Sequence, residues 1–374
     1  MTTAWTASCL ADLRHTQAHA IPRIAAPRRA ALDEARVYWD MWPVQDAEGF
    51  AALPGGRELW MALTAPDRGD PALRHFEAKI HLLERRGSEA WHDLGPVLPE
   101  SAMPYEREWA GSALLRGGVL HLYFTAAGTA ARPGGYQQSL WHAAARIGAD
   151  GLPQDWSAPK PLDPRPSPLY MAADAHDGAP GTIKAFRDPA FFRDPADGSE
   201  YLAFTASLGG SDSAFNGAFG LMRWQAGEWQ LLPPLVTAEG VNNELERAHL
   251  VFHQGRYYAF WSTQTHTFAP GLRHAPTGLY GMVADSLLGE YRPLNGSGLV
   301  LANPPERPHQ TYSWFVDASL RVCSFVDFWD LGAVPLPGPE ESASVPFGGV
   351  PAPLLQLAID GDRCYLVGGQ EGAE

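Results

Sequence analysis

Three carboxylic acids of this sequence stand where they can do acid chemistry. Asp40 lies between two tryptophans in VYWDMWP (37–43), Asp188 precedes the strand-like run AFF in FRDPAFF, and Glu246 precedes AHLVF in NNELERAHLVF. Retaining glycoside hydrolysis needs two carboxyl groups about 5–5.5 Å apart, one as nucleophile and one as proton donor. A third carboxylate that holds sugar hydroxyls sharpens binding in the transition state. The three acids have the right chemistry for a sugar-cleaving site.

Each acid also has a simpler interpretation. An Asp beside Pro and Trp is typical of a turn or strand end, and Glu244 with Glu246 is typical of a solvated acidic edge. The second RDP copy, at Asp194, stands in the turn sequence RDPADG, which leaves Asp188 as the candidate. Glu244 and Glu246 share a face at strand period, so their like charges are expected to raise one pKa.

The elements that position these acids are predicted to be short strands. Aromatic and β-branched runs alternate with clusters of Gly, Pro, Asp and Asn, and no sustained helical period competes with them. A strand, a tight turn and an aromatic-rich strand recur in four segments, with a fifth running from YWDMWP to ELWMALTA. The four are 108–126, 186–206, 245–263 and 311–329.

This repeat predicts an all-β fold, a five-bladed β-propeller with a funnel-shaped central active site. The copies start near residues 40, 109, 188, 246 and 312, roughly 60–80 residues apart, which is somewhat more than a four-stranded blade needs. The innermost strands of a propeller line its channel. We therefore expect Asp40, Asp188 and Glu246 to occupy the corresponding place in their copies and to converge at one mouth.

The predicted domain organisation has two parts. Residues 1–36 form an Ala-rich lead-in, expected to be helical and packed on the propeller. Residues 37–374 form a single five-bladed catalytic domain, and 374 residues are enough to bury a large core.

Composition narrows the possible partners. The chain has 28 Lys and Arg against 42 Asp and Glu, a formal charge of −14, which argues against nucleic acid and anionic membranes. No protein partner is predicted, and a neutral small molecule fits best. The three scattered cysteines indicate reduced thiols. No signal peptide is visible, so the expected location is cytoplasmic, with signal-independent export as the alternative.

The order of eight motifs identifies a family resemblance. They are YWDMWP, WAGSA, FRDP, ELER, THTFAPGL, GLYG, QTYS and FGGVPAP, running from about residue 36 to 368. In this order they resemble the levansucrase, inulosucrase and bacterial β-fructofuranosidase family, glycoside hydrolase family 68, and look most like its Gram-negative members. The resemblance implies a five-bladed propeller and a covalent fructosyl-enzyme intermediate, with sucrose as the usual donor.

The resemblance also implies residue roles. Asp40 would be the nucleophile, Glu246 the acid and base, and Asp188 the stabiliser that holds fructose hydroxyls. The remaining implied substrate-binding residues comprise the aromatic walls of the fructose subsite, the polar groups on the glucose side and one residue on the acceptor side. They are Trp39 and Trp109, then Arg187, Glu244, Arg247 and Tyr312, and finally Gln264.

Four departures from the family pattern qualify these roles. Ala110 replaces the Ser that hydrogen-bonds the nucleophile in many members, so Asp40 is either less firmly oriented or oriented by another donor. Gln264 replaces an Arg or His, which leaves product length open. Thr205 stands where Gram-positive members have Glu, and Asn243 replaces an Asp that binds structural calcium there. No metal and no cofactor are predicted, and His249 and His266 are interpreted as pocket or packing residues.

The predicted function is a β-fructofuranosidase that passes fructose from sucrose, or from other β-fructosides, to water or to sugar acceptors, with short fructo-oligosaccharides as transfer products. The first alternative is a levansucrase that makes levan polymer. A related five-bladed arabinan or xylan hydrolase and a non-catalytic sugar-binding propeller remain further alternatives.

Overall fold

The strands of the chain form five consecutive four-stranded or five-stranded units around a common axis. The computed structural model describes residues 1–24, 32–87, 90–99, 103–328 and 347–368. Two-residue turns that suit the twist of the strands join neighbouring strands of several units. One of these turns is Gly117–Gly118, where both φ angles are positive, at 59° and 75°.

The strands are listed by blade, from the channel outwards along the chain. Before the first blade come β1 (Thr3–Ala4), the one-turn helix α1 (Ala7–Leu10) and a 3-10 turn (Gln17–His19). Blade 1 contains β2 (Arg36–Gln45), β3 (Glu58–Pro66), β4 (Lys79–Arg86) and β5 (Ala90–Pro96). Blade 2 contains β6 (Arg107–Arg116), β7 (Val119–Ala127), β8 (Gln138–Ile147), β9 (Pro153–Gln154) and β10 (Lys160–Pro161).

The last three blades follow the same plan. Blade 3 contains β11 (Phe186–Arg193), β12 (Glu200–Ser207), β13 (Gly217–Gln225) and β14 (Glu228–Thr237). Blade 4 contains β15 (Glu246–His253), β16 (Arg256–Thr263), β17 (Gly278–Ala284), β18 (Arg292–Pro293) and β19 (Leu299–Ala302). Blade 5 contains β20 (Thr311–Val316), β21 (Arg321–Phe328), β22 (Phe347–Pro351), β23 (Leu355–Asp360) and β24 (Arg363–Leu366).

Antiparallel pairing of successive strands builds each blade, and β2, β6, β11, β15 and β20 are the inner strands. Blades 1 and 2 are also joined by a short parallel pairing of β2 with β6, from Val44↔Ala113 to Gln45↔Leu114. This arrangement confirms the predicted all-β, five-bladed propeller. Further 3-10 turns lie in the connections, at Pro54–Gly56, Pro71–Phe76, Thr265–Thr267 and Pro270–Leu272.

The N-terminal segment lies on the outside of the ring. Strand β1 pairs in parallel with β14 at the outer edge of blade 3, and the buried Trp5 packs edge-on against Trp261, with ring centroids 5.3 Å apart. Within residues 1–24 the helical parts are only Ala7–Leu10 and Gln17–His19, so this part of the lead-in is mainly extended. Residues 25–31 of the predicted helical lead-in lie outside the described residues, and the two-part domain division stays a prediction.

The core fills the spaces between neighbouring blades. Its largest fully buried side chains are aromatic and come from blades 1, 4 and 5 as well as the N-terminal segment: Trp5, Trp39, Trp42, Trp60, Trp261 and Trp314. Burying such rings stabilises the ring of blades because large apolar areas leave water. None of the described helices is long and apolar enough to cross a membrane.

Candidate active site

Each inner strand carries a β-bulge near its start, and the bulges place the site residues. In each blade, the pairing between the inner strand and the next strand shifts its register at one point. The last inner-strand residue before the shift is Trp39, Trp109, Arg187, Glu246 or Tyr312, in blades 1 to 5. A bulge re-aims the side chains around it, whereas a regular strand would send successive side chains to opposite faces. Each blade can therefore contribute two consecutive side chains to the channel.

The second residue of each pair sits in the left-handed backbone region in four blades. The φ angles are 43° for Asp40, 58° for Asp188, 53° for Arg247 and 60° for Ser313. Such φ values are uncommon for residues other than glycine and persist where the surrounding structure fixes them, often at functional sites. In blade 2 the corresponding residue is Ala110, which is fully buried and has no such φ.

This register corrects one expectation. Asp40 and Asp188 do occupy the same place in their blades, but Glu246 lies one position earlier and corresponds to Trp39 and Arg187. Arg247 takes the left-handed position of blade 4. Aligning the five repeats on their acidic residues does not reveal this one-residue offset of Glu246, because the extra residue of a bulge is not visible in the sequence.

Asp40 lies among cations and one hydroxyl. The pKa of Asp40 is raised above its usual value, chiefly by burial. The charge of Arg247, the hydroxyl of Ser313 and the charge of Arg74 oppose this shift and favour the ionised form. The residue as a whole is half-buried, so its carboxylate is partly screened from water and lies beside cations.

Both the side chain and the backbone N–H of Asp188 are fixed by neighbouring residues. Thr205 Oγ1 donates to Asp188 Oδ2 at 2.9 Å, and Arg187 Nε lies 3.5 Å from the same oxygen. The backbone N–H of Asp188 donates to Thr125 Oγ1 at 2.8 Å, and Thr125 in turn donates to the carbonyl of Ala110 at 3.0 Å. Burial raises the pKa of Asp188 to about 6, against the opposing effects of Arg187 and Arg247.

Glu246 is oriented through both carboxylate oxygens. Arg187 donates from its Nη2 to Oε1 at 2.7 Å, and the Tyr312 hydroxyl donates to Oε2. Residue 246 also pairs in register with Ser262 of β16. Donors on both oxygens leave one orientation for this side chain at the mouth of the channel.

Glu244 joins the same cluster from the loop before β15. Arg187 Nη2 lies 3.4 Å from Glu244 Oε1, so one guanidinium serves Glu244 and Glu246 together. Burial, and next the charge of Glu246, raise the pKa of Glu244 to about 8. The charge of Glu246 acts in the expected direction, but burial is the larger cause, and Glu244 lies in the loop before β15 and not on a strand face shared with Glu246. Burial lowers the pKa of Arg187, but the negative charges of Glu244, Glu246 and Asp188 outweigh burial and raise that pKa above its usual value.

The site therefore joins the three predicted acids through two arginines. Asp188 interacts electrostatically with both Asp40 and Glu246. Arg247 reaches across to blade 1, where its Nη2 donates to the Met41 carbonyl at 3.2 Å, and its guanidinium lies 5.3 Å from the Trp42 ring centroid.

Trp39 and Trp109 meet a connection that the sequence did not single out. The 3-10 turn Pro71–Phe76 between β3 and β4 brings Arg74 to 5.6 Å from the Trp39 ring centroid and His75 to 6.0 Å from the same ring. Trp109 Nε1 donates to the His75 carbonyl at 3.2 Å. Burial, and next the charge of Arg74, lower the pKa of His75 well below its usual value, so His75 is neutral.

Asp327 of β21 is a further carboxyl group near Asp40 that sequence reasoning missed. It is 7% exposed, and its pKa rises to about 7 through burial, opposed by the charge of Arg74 and assisted by that of Asp40. Its signal in the sequence was weak, because a lone Asp in the strand SFVDF has no motif around it.

The sequence also singles out Gln264, Asp194 and His249. Gln264 follows β16 and precedes the turn Thr265–Thr267. Among the described residues, its side chain has no hydrogen-bond partner. Asp194 accepts from the Ala196 N–H at 2.9 Å and from the Tyr257 hydroxyl at 2.7 Å, as expected for a structural turn residue. His249 packs at 4.3 Å on the Phe315 ring and lies in the core.

No metal ligand set is found in the described ranges, where no three His, Cys, Asp or Glu side chains cluster suitably. The absence of a metal and of a cofactor stays a prediction.

Comparison with known proteins gives one consistent result. The profile of the family described as Levansucrase/Invertase matches residues 1–218 and 213–370. The levansucrase Lscbeta of Pseudomonas syringae pv. actinidiae is 32% identical, over 88% of this chain and 82% of that protein. A levansucrase of Erwinia amylovora is 31% identical, over 90% of this chain and 87% of that protein.

A solved structure resembles the whole chain. It is an inulosucrase from Halalkalicoccus jeotgali bound to kestose, which is 36% identical, with a TM-score of 0.87. The match covers 100% of this chain and 99% of that one.

Proposed function

This chain belongs to the levansucrase and invertase family, and from that premise we propose how its channel works. The protein is a sucrose-cleaving fructosyltransferase and β-fructofuranosidase that acts through a covalent fructosyl-enzyme intermediate. The observation that carries this proposal is the presence in one channel of a half-buried Asp40 and of Glu246, which is held through both of its carboxylate oxygens.

In the first step, a carboxylate oxygen of Asp40 attacks C2 of the fructosyl unit and forms an ester bond. The bond between C2 and the glucosyl oxygen breaks, and its electron pair stays on that oxygen. Glu246 gives this oxygen its proton, and glucose leaves. Arg187 and Tyr312, which hold the two oxygens of Glu246, fix the direction of proton transfer.

In the second step, the ionised Glu246 takes a proton from water or from a sugar hydroxyl. The acceptor oxygen attacks C2, the ester bond breaks, and Asp40 regains its carboxylate. Positive charge develops on the fructosyl ring in both steps, and we assign its stabilisation to Asp188. Thr205 and Arg187 keep Asp188 in place for that role.

The other residues are assigned to substrate contacts. Trp39 and Trp109 cover the apolar face of the fructosyl ring, as indole rings suit its C–H surface. Arg187, Glu244, Arg247 and Tyr312 hold the glucose side. Gln264, which directly follows β16, is assigned to the acceptor.

Water and short sugars are the proposed acceptors, which gives hydrolysis and short fructo-oligosaccharides. Levan synthesis is the second candidate, because the curated relatives that match are levansucrases. Both outcomes use the same intermediate and differ only in what reaches C2 next.

The test is incubation of the purified protein with sucrose, with glucose and fructose measured separately. Equal amounts indicate that water is the acceptor. Glucose in excess of fructose indicates transfer to sugars, and product size then separates oligosaccharides from levan. Release of neither sugar contradicts the proposal and favours the arabinan, xylan or binding-protein alternatives.

A further inference from the structure

The ammonium group of Lys184 lies in a cage of three oxygen atoms just before β11. Its Nζ donates to the Ala214 carbonyl, to Asn216 Oδ1 and to Asn243 Oδ1, each at 2.7 Å. An ammonium group has three protons, so all its donors are used. The cage joins the loop before β11 to the loops before β13 and before β15.

The residue type fits this cage closely. The chain contains only three lysines, at positions 79, 160 and 184, among 28 basic residues. Elsewhere it relies on arginine, whose planar fork suits carboxylates and not three convergent oxygens. Lysine supplies a compact cation, and here its ammonium group fills the space between the three oxygens.

Asn243 connects the Lys184 cage to Glu244 of the active site through hydrogen bonds of its side-chain amide. Its Oδ1 accepts from Lys184, while its Nδ2 donates to the carbonyls of Gly181 and Ile183 at 3.2 and 3.3 Å and lies 3.5 Å from Glu244 Oε1. The backbone N–H of Asn243 donates to the Thr267 carbonyl at 3.0 Å. The amide is therefore fixed in one orientation, with its oxygen towards Lys184.

The contacts continue to the proton donor. Glu244 Oε1 lies 3.4 Å from Arg187 Nη2, and that nitrogen donates to Glu246 Oε1 at 2.7 Å. Lys184 also interacts electrostatically with Glu244. A shift at Lys184 thus reaches Glu246 through Asn243, Glu244 and Arg187.

We propose that Lys184 is a tethered cation whose oxygen cage positions the Glu244–Arg187 pair and, through it, the proton donor Glu246. Lys184 is a positioning residue because it touches none of the reacting groups. The link to proton donation rests on the proposed function, whereas the cage itself does not.

The first experiment compares Lys184→Ala and Lys184→Met with the wild-type enzyme on two donors. Sucrose needs protonation of its leaving oxygen, whereas a nitrophenyl β-fructofuranoside leaves with little help from an acid. We expect kcat on sucrose to fall about 10–100-fold, because small misplacements of a catalytic group are costly. The fall on the nitrophenyl donor is expected to be several times smaller. Lys160→Met, at an exposed lysine of β10, is the matched control.

The comparison of donors separates positioning from folding. A general loss of folded protein lowers both rates by the same factor. Equal losses on the two donors, or wild-type rates in both variants, would overturn the positioning role.

The second experiment tests the cage without using turnover. Lys184→Ala opens the three oxygens, so ammonium chloride is expected to raise its Tm by several degrees more than tetramethylammonium chloride at equal ionic strength. The methylated ion has the same charge but no N–H donors. Equal effects of the two salts would contradict the cage. Because this readout needs no substrate, it stands even if sucrose is not cleaved, and a failed sucrose assay with wild-type protein would instead contradict the proposed function.

Discussion

Asp40 of blade 1 and Ser313 of blade 5 occupy the same left-handed position of their respective bulges, and the Ser313 hydroxyl favours the ionised form of Asp40. In family members with the motif WSGS, the resemblance assigns a hydrogen bond to the nucleophile to the Ser that is Ala110 here. In this chain the hydroxyl that acts on Asp40 belongs to the neighbouring blade on the other side. The orientation of the proposed nucleophile therefore depends on how blades 1 and 5 meet.

The first prediction concerns the Ser313 hydroxyl, which we expect to orient Asp40 by a hydrogen bond. Ser313→Ala is expected to lower kcat/KM for sucrose by about 10–100-fold, because a hydrogen bond to a charged group contributes about 1.5–3 kcal/mol. Steady-state kinetics measure the loss. Ser324→Ala, at another buried serine of blade 5, is the control. Unchanged kinetics in Ser313→Ala would show that another group orients Asp40.

The second prediction concerns the nucleophile itself. Asp40→Asn is expected to fold with an unchanged or higher Tm, because a partly buried charge is removed, and to lose at least about 1,000-fold in kcat. The amide cannot form the ester. Thermal unfolding and glucose release are the measurements, with the exposed Asp197→Asn as the control. Near-wild-type turnover in Asp40→Asn would disprove the assignment.

A third prediction separates the proton donor from the other acids. Glu246→Gln is expected to lose about 1,000-fold or more in kcat on sucrose, since glucose then leaves without a proton. On a nitrophenyl β-fructofuranoside, formation of the intermediate is expected to be largely retained, and its breakdown becomes slow. A burst of nitrophenol followed by slow turnover is the signature. If Glu246→Gln lowers activity on sucrose and on the nitrophenyl substrate by the same factor, and no burst is seen, Glu246 is not the proton donor.

A fourth prediction uses the pH dependence of Asp40. Burial raises its pKa, while Arg247 and Arg74 lower it. Removing the cation in Arg74→Met therefore raises the pKa further, and less Asp40 is ionised at any given acidic pH. The acidic limb of kcat/KM is expected to move upwards by roughly one pH unit. Arg68→Met, at an exposed arginine paired with Glu77, is the control. A limb that stays in place or moves down would exclude Arg74 as a partner of Asp40.

A fifth prediction links pH to stability through Glu244. Its pKa is about 8 in the folded protein against an ordinary value of 4.5. A carboxyl group whose folded pKa is raised binds its proton more tightly when folded, so stability falls as pH rises from the unfolded to the folded value. Each unit of difference in pKa corresponds to about 1.4 kcal/mol of unfolding free energy.

Glu244→Gln removes this ionisation. We expect the wild-type Tm to fall between pH 5 and 9 and the Tm of the variant to fall less. Thermal unfolding across that range is the measurement, and Glu239→Gln, at an exposed acid of the same connection, is the control. Parallel curves for wild type and Glu244→Gln would contradict the raised pKa.

The sequence predicted the fold, because strand and turn patterns are local, and it singled out three acids that the structure brings together, whose catalytic roles stay predictions. Strand-turn-strand repeats recur in every blade, and Asp40, Asp188 and Glu246 stand at the beginnings of inner strands. The sequence could not reveal that Glu246 lies one step before the position of the other two acids. Pairing register decides that offset, and register is a property of two strands together.

Arg74, His75 and Asp327 show a second limit of sequence reasoning. They reach the channel from a connection and from a second strand, so no motif marks them. Their importance follows from where the turn Pro71–Phe76 lies in relation to Trp39, which depends on tertiary packing. Lys184 is a similar case, since three acceptors from distant loops define its cage.

The bulges also bear on how such an enzyme can change during evolution. Each inner strand carries a register shift near its start, and in four of the five blades the second residue of the shifted pair is left-handed. A substitution at one pair exchanges one chemical contribution, such as a base, a cation or an aromatic wall, and it also changes the contacts of that pair with a neighbouring blade, as between Arg187 and Glu246. New donor or acceptor preferences therefore need only substitutions at these channel-lining pairs, on an unchanged five-bladed fold.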